Sequence, residues 1–134
     1  MSYTNIFDSH AHYDDEAFDA DRETVLAQLP QKGIRHVIDC GANLSGCQKA
    51  VELAQKYSYI HAAVGIHPEE IGDSMDAWLP ELEAMLRVKE KNKIVAVGEI
   101  GLDWTTTLRK TRRGKYRNLP LPHSWNLPPA MICR

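Results

Sequence analysis

The sequence predicts an α/β protein built around a parallel sheet. Short apolar runs, Ile6–Asp8, His36–Asp39, Ile60–Val64 and Ile94–Val97, alternate with longer segments of helical period. Those intervening segments are long enough for right-handed crossovers, which join parallel neighbours in a sheet. The residues with ligand chemistry all follow the apolar runs, at what would be strand carboxyl ends. Barrel and open α/β enzymes place their active sites there.

Each element has a local reason. Ile6–Asp8 is the first strand. A helix is expected over about 21–31, where Val25, Leu26 and Leu29 share a face and Gly33 ends it. His36-Val-Ile-Asp39 is the second strand, closed by Gly41. Asn43 or Ser45 would cap the next helix, which carries Val51, Leu53, Ala54 and Tyr57 on to the third strand. A third helix is expected over about 76–89, with Trp78, Leu79, Leu82, Met85 and Leu86 at helical spacing and Trp78 and Met85 in the core. The fourth strand runs into Gly98-Glu99.

The chain of 134 residues, 43% hydrophobic and 25% charged, has the composition of one globular domain. No run approaches the roughly 18 apolar residues of a membrane span. Met-Ser-Tyr-Thr-Asn lacks the basic-then-apolar order of a secretory signal. Cys40, Cys47 and Cys133 are odd in number and have no close-paired spacing, so reduced structural thiols in a cytoplasmic protein are expected. The net charge of −2 conceals an asymmetry: all 18 acidic residues precede Thr105, and the thirty residues after Trp104 hold seven Lys or Arg and four of the seven prolines. Two regions follow from this, an α/β body over 1–104 and a basic, proline-rich, irregular tail over 105–134.

Within Asn5-Ile-Phe-Asp-Ser-His10-Ala-His12, residues two apart in a strand point the same way, so both imidazoles can meet one cation. Glu99, after the fourth strand, can add a carboxylate. Two neutral imidazoles with an oxygen ligand suit zinc, manganese or a similar divalent ion, and that donor set implies metal-assisted hydrolysis. His67, before Pro68, is either a turn-capping imidazole or a substrate contact. Asp14-Asp15-Glu16 is expected to be a solvated charge run, and Asp103 to position its loop.

Five ordered motifs carry a family resemblance: Asp8-Ser-His-Ala-His-Tyr-Asp14, Asp21-Arg22, Gly41-Ala-Asn-Leu44, Ala63-Val-Gly-Ile-His-Pro68 and Gly98-Glu-Ile-Gly-Leu-Asp103. In this order they resemble the TatD family of metal-dependent deoxyribonucleases, amidohydrolase-like (β/α)8 barrels. The resemblance covers about Ile6 to Asp103. It implies the first half of a TIM-type barrel, with His10 and His12 on one metal, Glu99 bridging two and acting in catalysis, and His67 near substrate phosphate. The metals implied are zinc, manganese or magnesium, and the implied substrate is DNA.

Beyond Trp104 the sequence departs from the family pattern, which continues there with four more strand-helix units supplying two histidines and an aspartate. Asn118-Leu-Pro-Leu-Pro-His123-Ser echoes one such segment but comes too soon after Glu99. A full barrel takes about 250 residues. The expectation is a truncated, weakly active or inactive hydrolase whose exposed sheet edges promote self-association. Two other classes share these residues. One is a metal-dependent amidohydrolase acting on a small substrate. The other is a non-enzymatic fragment whose tail binds nucleic acid through Arg109, Lys110, Arg112, Arg113, Lys115 and Arg117, with Tyr116 and Trp125 stacking on bases.

Overall fold

The structure, a computed structural model, describes residues 4–71 and 77–101. Four strands, β1 (Ile6–Ala11), β2 (Ile34–Gly41), β3 (Ile60–Val64) and β4 (Ile94–Val97), form one sheet in chain order. All three pairings are parallel. Three helices, α1 (Arg22–Gln28), α2 (Leu44–Lys56) and α3 (Leu79–Arg87), supply the crossovers. The third and fourth strands have the limits expected from sequence; β1 runs on past Asp8 to Ala11, and β2 is longer at both ends.

The first helix is shorter than its apolar spacing suggests. It stops at Gln28 because Pro30 has no N–H to continue the ladder. The chain goes on as a 3-10 turn over Pro30–Lys32, which Gly33 ends at a φ of 92°. The second helix starts where Asn43 caps it, its side chain accepting from the backbone N–H of Gly46 at 2.9 Å. Cys47, Ala50, Leu53 and Ala54 form its buried face. Trp78 and Met85 are half-buried and pack against the core from its rim, and Trp78 Nε1 donates to the Ile71 carbonyl at 3.1 Å. Asp76 lies outside the described residues.

The main core lies between the helices and one sheet face. Leu26, Leu53 and Leu82 meet Val37, Ile60, Ala62, Val64 and Ile94 there. Leu26, Ile60 and Leu82 are wholly buried, each contributing about 2–3 kcal/mol of apolar transfer. The other face carries a smaller cluster of Cys40, Ala63 and Ala96 with Ile38 beside it. Phe7, His36 and His61 continue this face, with Phe7 and His36 ring centroids 6.1 Å apart and His36 and His61 6.0 Å apart. The tail after Trp104, including its basic residues and His123, lies outside the described residues, as do Asp103 and Cys133.

Candidate metal centre

The site is built from two strand ends. The β1–β2 pairing slips between Asp8 and Ala11, where three steps on β1 match two on β2. Irregular pairing of this kind re-aims side chains beside functional sites. His10 lies inside the slip and His12 directly after the strand. The His10 backbone N–H donates to Asp8 Oδ1 at 3.2 Å. Glu99 arrives two residues after β4. Its approach depends on Gly65, since a Cβ there would stand 2.6 Å from the Gly98 carbonyl carbon and from the Glu99 carbonyl oxygen. Cys47 fixes the same glycine: its Sγ lies 3.2 Å from the Gly65 carbonyl and 3.3 Å from its N–H. Burial pushes the Cys47 thiol up to about 11, so it stays protonated.

His10 Nε2 and His12 Nε2 stand 3.0 Å apart, and His10 Nε2 is 3.0 Å from Glu99 Oε1. One donor atom from each of the three residues lies within 4.8 Å of the others. Two nitrogens bound tetrahedrally to one zinc lie about 3.4 Å apart, close to the observed spacing. The donors therefore fit a divalent cation in both chemistry and geometry. His10 and Glu99 are 52% and 29% exposed at their side chains, so the site opens to solvent.

His67 follows β3 at the same end of the sheet. Its backbone N–H donates to the Ala42 carbonyl at 2.7 Å, and its Nδ1 accepts from the Glu69 N–H at 3.3 Å. The turn-capping role is thus present, with the proton of the neutral ring left on Nε2.

Sequence reasoning missed a buried polar layer behind the histidines. Asp14 is not the solvated loop residue expected. Its side chain is 10% exposed and its Oδ1 lies 3.7 Å from His12 Nδ1. Burial raises its pKa, against the lowering effect of His12. Asp39, on β2, is wholly buried and accepts from the Tyr13 N–H at 2.6 Å. Burial first, and then the charge of Asp14, lift its carboxyl to about 7. The Asp8-to-Asp14 motif and the polar Asp39 inside an apolar strand were the available signals.

A parallel sheet bearing His-x-His at the end of its first strand and a glutamate after its fourth is a framework suited to metal-assisted hydrolysis. The comparisons agree: the profile of the family described as TatD related DNase matches residues 7–118. The chain belongs to that family. The match runs past Trp104, where the legible motifs stop.

The chain is 32% identical over 129 residues to the uncharacterized metal-dependent hydrolase YabD of Bacillus subtilis, covering 92% of this chain and 48% of that one. It is 30% identical over 132 residues to the 3'-5' ssDNA/RNA exonuclease TatD of Shigella flexneri, covering 96% and 50%. The crystal structure of YJJV, a TatD homolog from Escherichia coli, superposes with a TM-score of 0.63 at 34% identity, over 74% of this chain and 38% of that chain. The chain thus spans about half the length of the curated relatives it matches, and its sheet is the first part of a TIM-type barrel. No helix among the described residues is long and apolar enough to cross a membrane.

Proposed function

We propose that this chain carries the first half of a metal-dependent phosphodiesterase centre acting on single-stranded DNA or DNA ends. One observation carries the reading: His10, His12 and Glu99 converge at the carboxyl edge of the sheet with their donor atoms within 4.8 Å of one another. A relative named as a 3'-5' ssDNA/RNA exonuclease supports nucleic acid as the substrate class.

In this reading His10, His12 and Glu99 would hold a divalent cation, whether zinc, manganese or magnesium. Such a cation, when bound, lowers the pKa of a coordinated water and polarises a phosphoryl oxygen. Glu99, the residue assigned to catalysis, offers a second carboxylate oxygen with which it would bridge to a second cation. His67 would donate its Nε2 proton to a substrate phosphate oxygen, its ring held by the Glu69 N–H. Among the described residues three donors would hold one ion, and two-cation hydrolysis needs more; slow turnover is part of the proposal. The buried Cys47 thiol is consistent with a reducing, cytoplasmic setting.

The test is shortening of an end-labelled single-stranded oligonucleotide with manganese or magnesium at high protein concentration. A small amide and a small ester serve as competing substrates. The expected result is slow, metal-dependent cleavage of the oligonucleotide that a His10→Ala, His12→Ala variant lacks. Faster turnover of the amide or ester would contradict the phosphodiesterase assignment, as would cleavage that survives the double substitution.

A further inference from the structure

The loop leaving β1 is fastened from several directions. The Asp15 N–H donates to the His12 carbonyl at 3.2 Å. The buried Arg22 side chain donates from Nε to the Tyr13 carbonyl at 2.6 Å, and from Nη2 to the Asp15 and Asp14 carbonyls at 2.6 and 3.4 Å. Arg22 is itself held by Asp19 at 2.7 Å. From the sheet side, Asp39 accepts from the Tyr13 N–H.

What these contacts fix in place is the carboxylate of Asp14. It is nine-tenths buried, and its Oδ1 has no hydrogen-bond partner among the described residues. An orphaned buried carboxylate oxygen is costly unless a donor is at hand. The nearby ring is that of His12, whose Nδ1 is 3.7 Å away while its Nε2 faces His10. The other oxygen, Oδ2, lies against Gly46 in the first turn of α2, where a Cβ would come within 2.5 Å of it. Glycine at 46 leaves the space that the carboxylate fills.

We propose that Asp14 is a positioning residue for the metal centre, accepting the Nδ1 proton of His12 and so fixing that ring with Nε2 toward the cation. This rests on the reading of His10, His12 and Glu99 as metal ligands. Histidines that bind metal commonly donate their other ring N–H to a carboxylate, which sets both tautomer and ring orientation. At 3.7 Å the contact is beyond hydrogen-bond length, and in the proposed role the ring turns to shorten it.

The experiment uses the full chain, zinc alone as probe, and competition against a chromogenic chelator, with thermal melts to confirm folding. Asp14→Ala is expected to weaken zinc binding roughly 10–100-fold. Asp14→Asn, which keeps a carbonyl acceptor, should recover most of that loss. Gly46→Ala should also weaken zinc binding by displacing the carboxylate, although alanine favours the helix. Long-range nitrogen-15 spectra of the metal-free protein should show His12 protonated at Nδ1, and a mixture of tautomers in Asp14→Ala. A role in folding alone would leave the tautomer unchanged.

Folded Asp14→Ala protein with parental zinc affinity and unchanged His12 ring shifts would overturn the proposal. The metal-centre reading would still stand if His10→Ala, His12→Ala abolished binding. Zinc binding indifferent to that double substitution would remove the reading and the proposal together. If Asp14→Ala does not fold, Gly46→Ala decides: undiminished affinity there overturns the proposal, and weakened affinity in a folded protein supports it.

Discussion

His10 and Glu99 come from opposite edges of the four-stranded sheet, yet Nε2 of one stands 3.0 Å from Oε1 of the other. In a flat sheet, three inter-strand steps would separate those edges by about 14 Å. The long side chains span part of that gap, and curvature at the strand carboxyl ends closes the rest. The slip in β1 pairing and the close approach at Gly65 both act at that end. The candidate centre is therefore a consequence of barrel-like curvature as much as of ligand identity.

The crossover from α2 to β3 hangs on a single lysine. Lys93 Nζ donates to the carbonyls of Ala54, Tyr57 and Ser58 at 2.7, 2.8 and 3.1 Å, satisfying the carboxyl end of α2. Lys93→Met should lower unfolding stability by roughly 1–3 kcal/mol, measured in urea. The backbone at Lys93 is left-handed, with a φ of 52°. Lys93→Gly should therefore be less harmful than Lys93→Ala by about 1 kcal/mol. Unchanged stability in all three variants would contradict this.

The fold was largely legible in the sequence, because Ile60–Val64 and Ile94–Val97 are continuous apolar runs and parallel strands covered on both faces need such runs. The convergence of His10, His12 and Glu99 was foreseeable because period two and strand-end position are local properties, while their role as ligands is the proposal. Asp14, Asp39 and Arg22 were not legible. Asp14 sits in an acidic run that reads as solvated until the packing of α2 against it is seen, and the burial of Asp39 and Arg22 likewise depends on segments distant in sequence. The end of α1 was misplaced for a simpler reason: apolar spacing continued to Leu29, and the missing N–H of Pro30 outweighed it.

Asp39 gives the metal-free protein a pH-dependent stability. Its carboxyl titrates at about 7 in the folded chain, lifted by burial and then by Asp14, against 3.8 for an ordinary aspartate. The folded state therefore holds the proton more tightly than the unfolded state. Its contribution is complete below pH 3.8 and is lost as pH rises through about 7. The loss is on the order of a few kcal/mol. Asp39→Asn, which keeps an acceptor for the Tyr13 N–H, should flatten the decline in chelator-treated protein. An equally steep decline in the variant would contradict the assignment.

Self-association should follow from the exposed sheet edges. Phe7 is 58% exposed, and Ile6 and Val95 are 37% and 36% exposed. Among the described residues β1 and β4 each pair on one side only. Unpaired edges beside apolar side chains template association. Sedimentation velocity should show concentration-dependent species that Phe7→Glu reduces. A monodisperse monomer at high concentration would contradict this.

The most direct test of the metal centre is X-ray absorption on the zinc-loaded chain. The expected spectrum has a nitrogen and oxygen shell at about 2.0–2.1 Å with the scattering signature of two imidazoles. His10→Ala, His12→Ala should abolish stoichiometric loading, and Glu99→Gln should weaken it. A sulfur shell at about 2.3 Å, or an unaltered spectrum from the double variant, would show that the cation sits elsewhere and that these three residues are not its ligands.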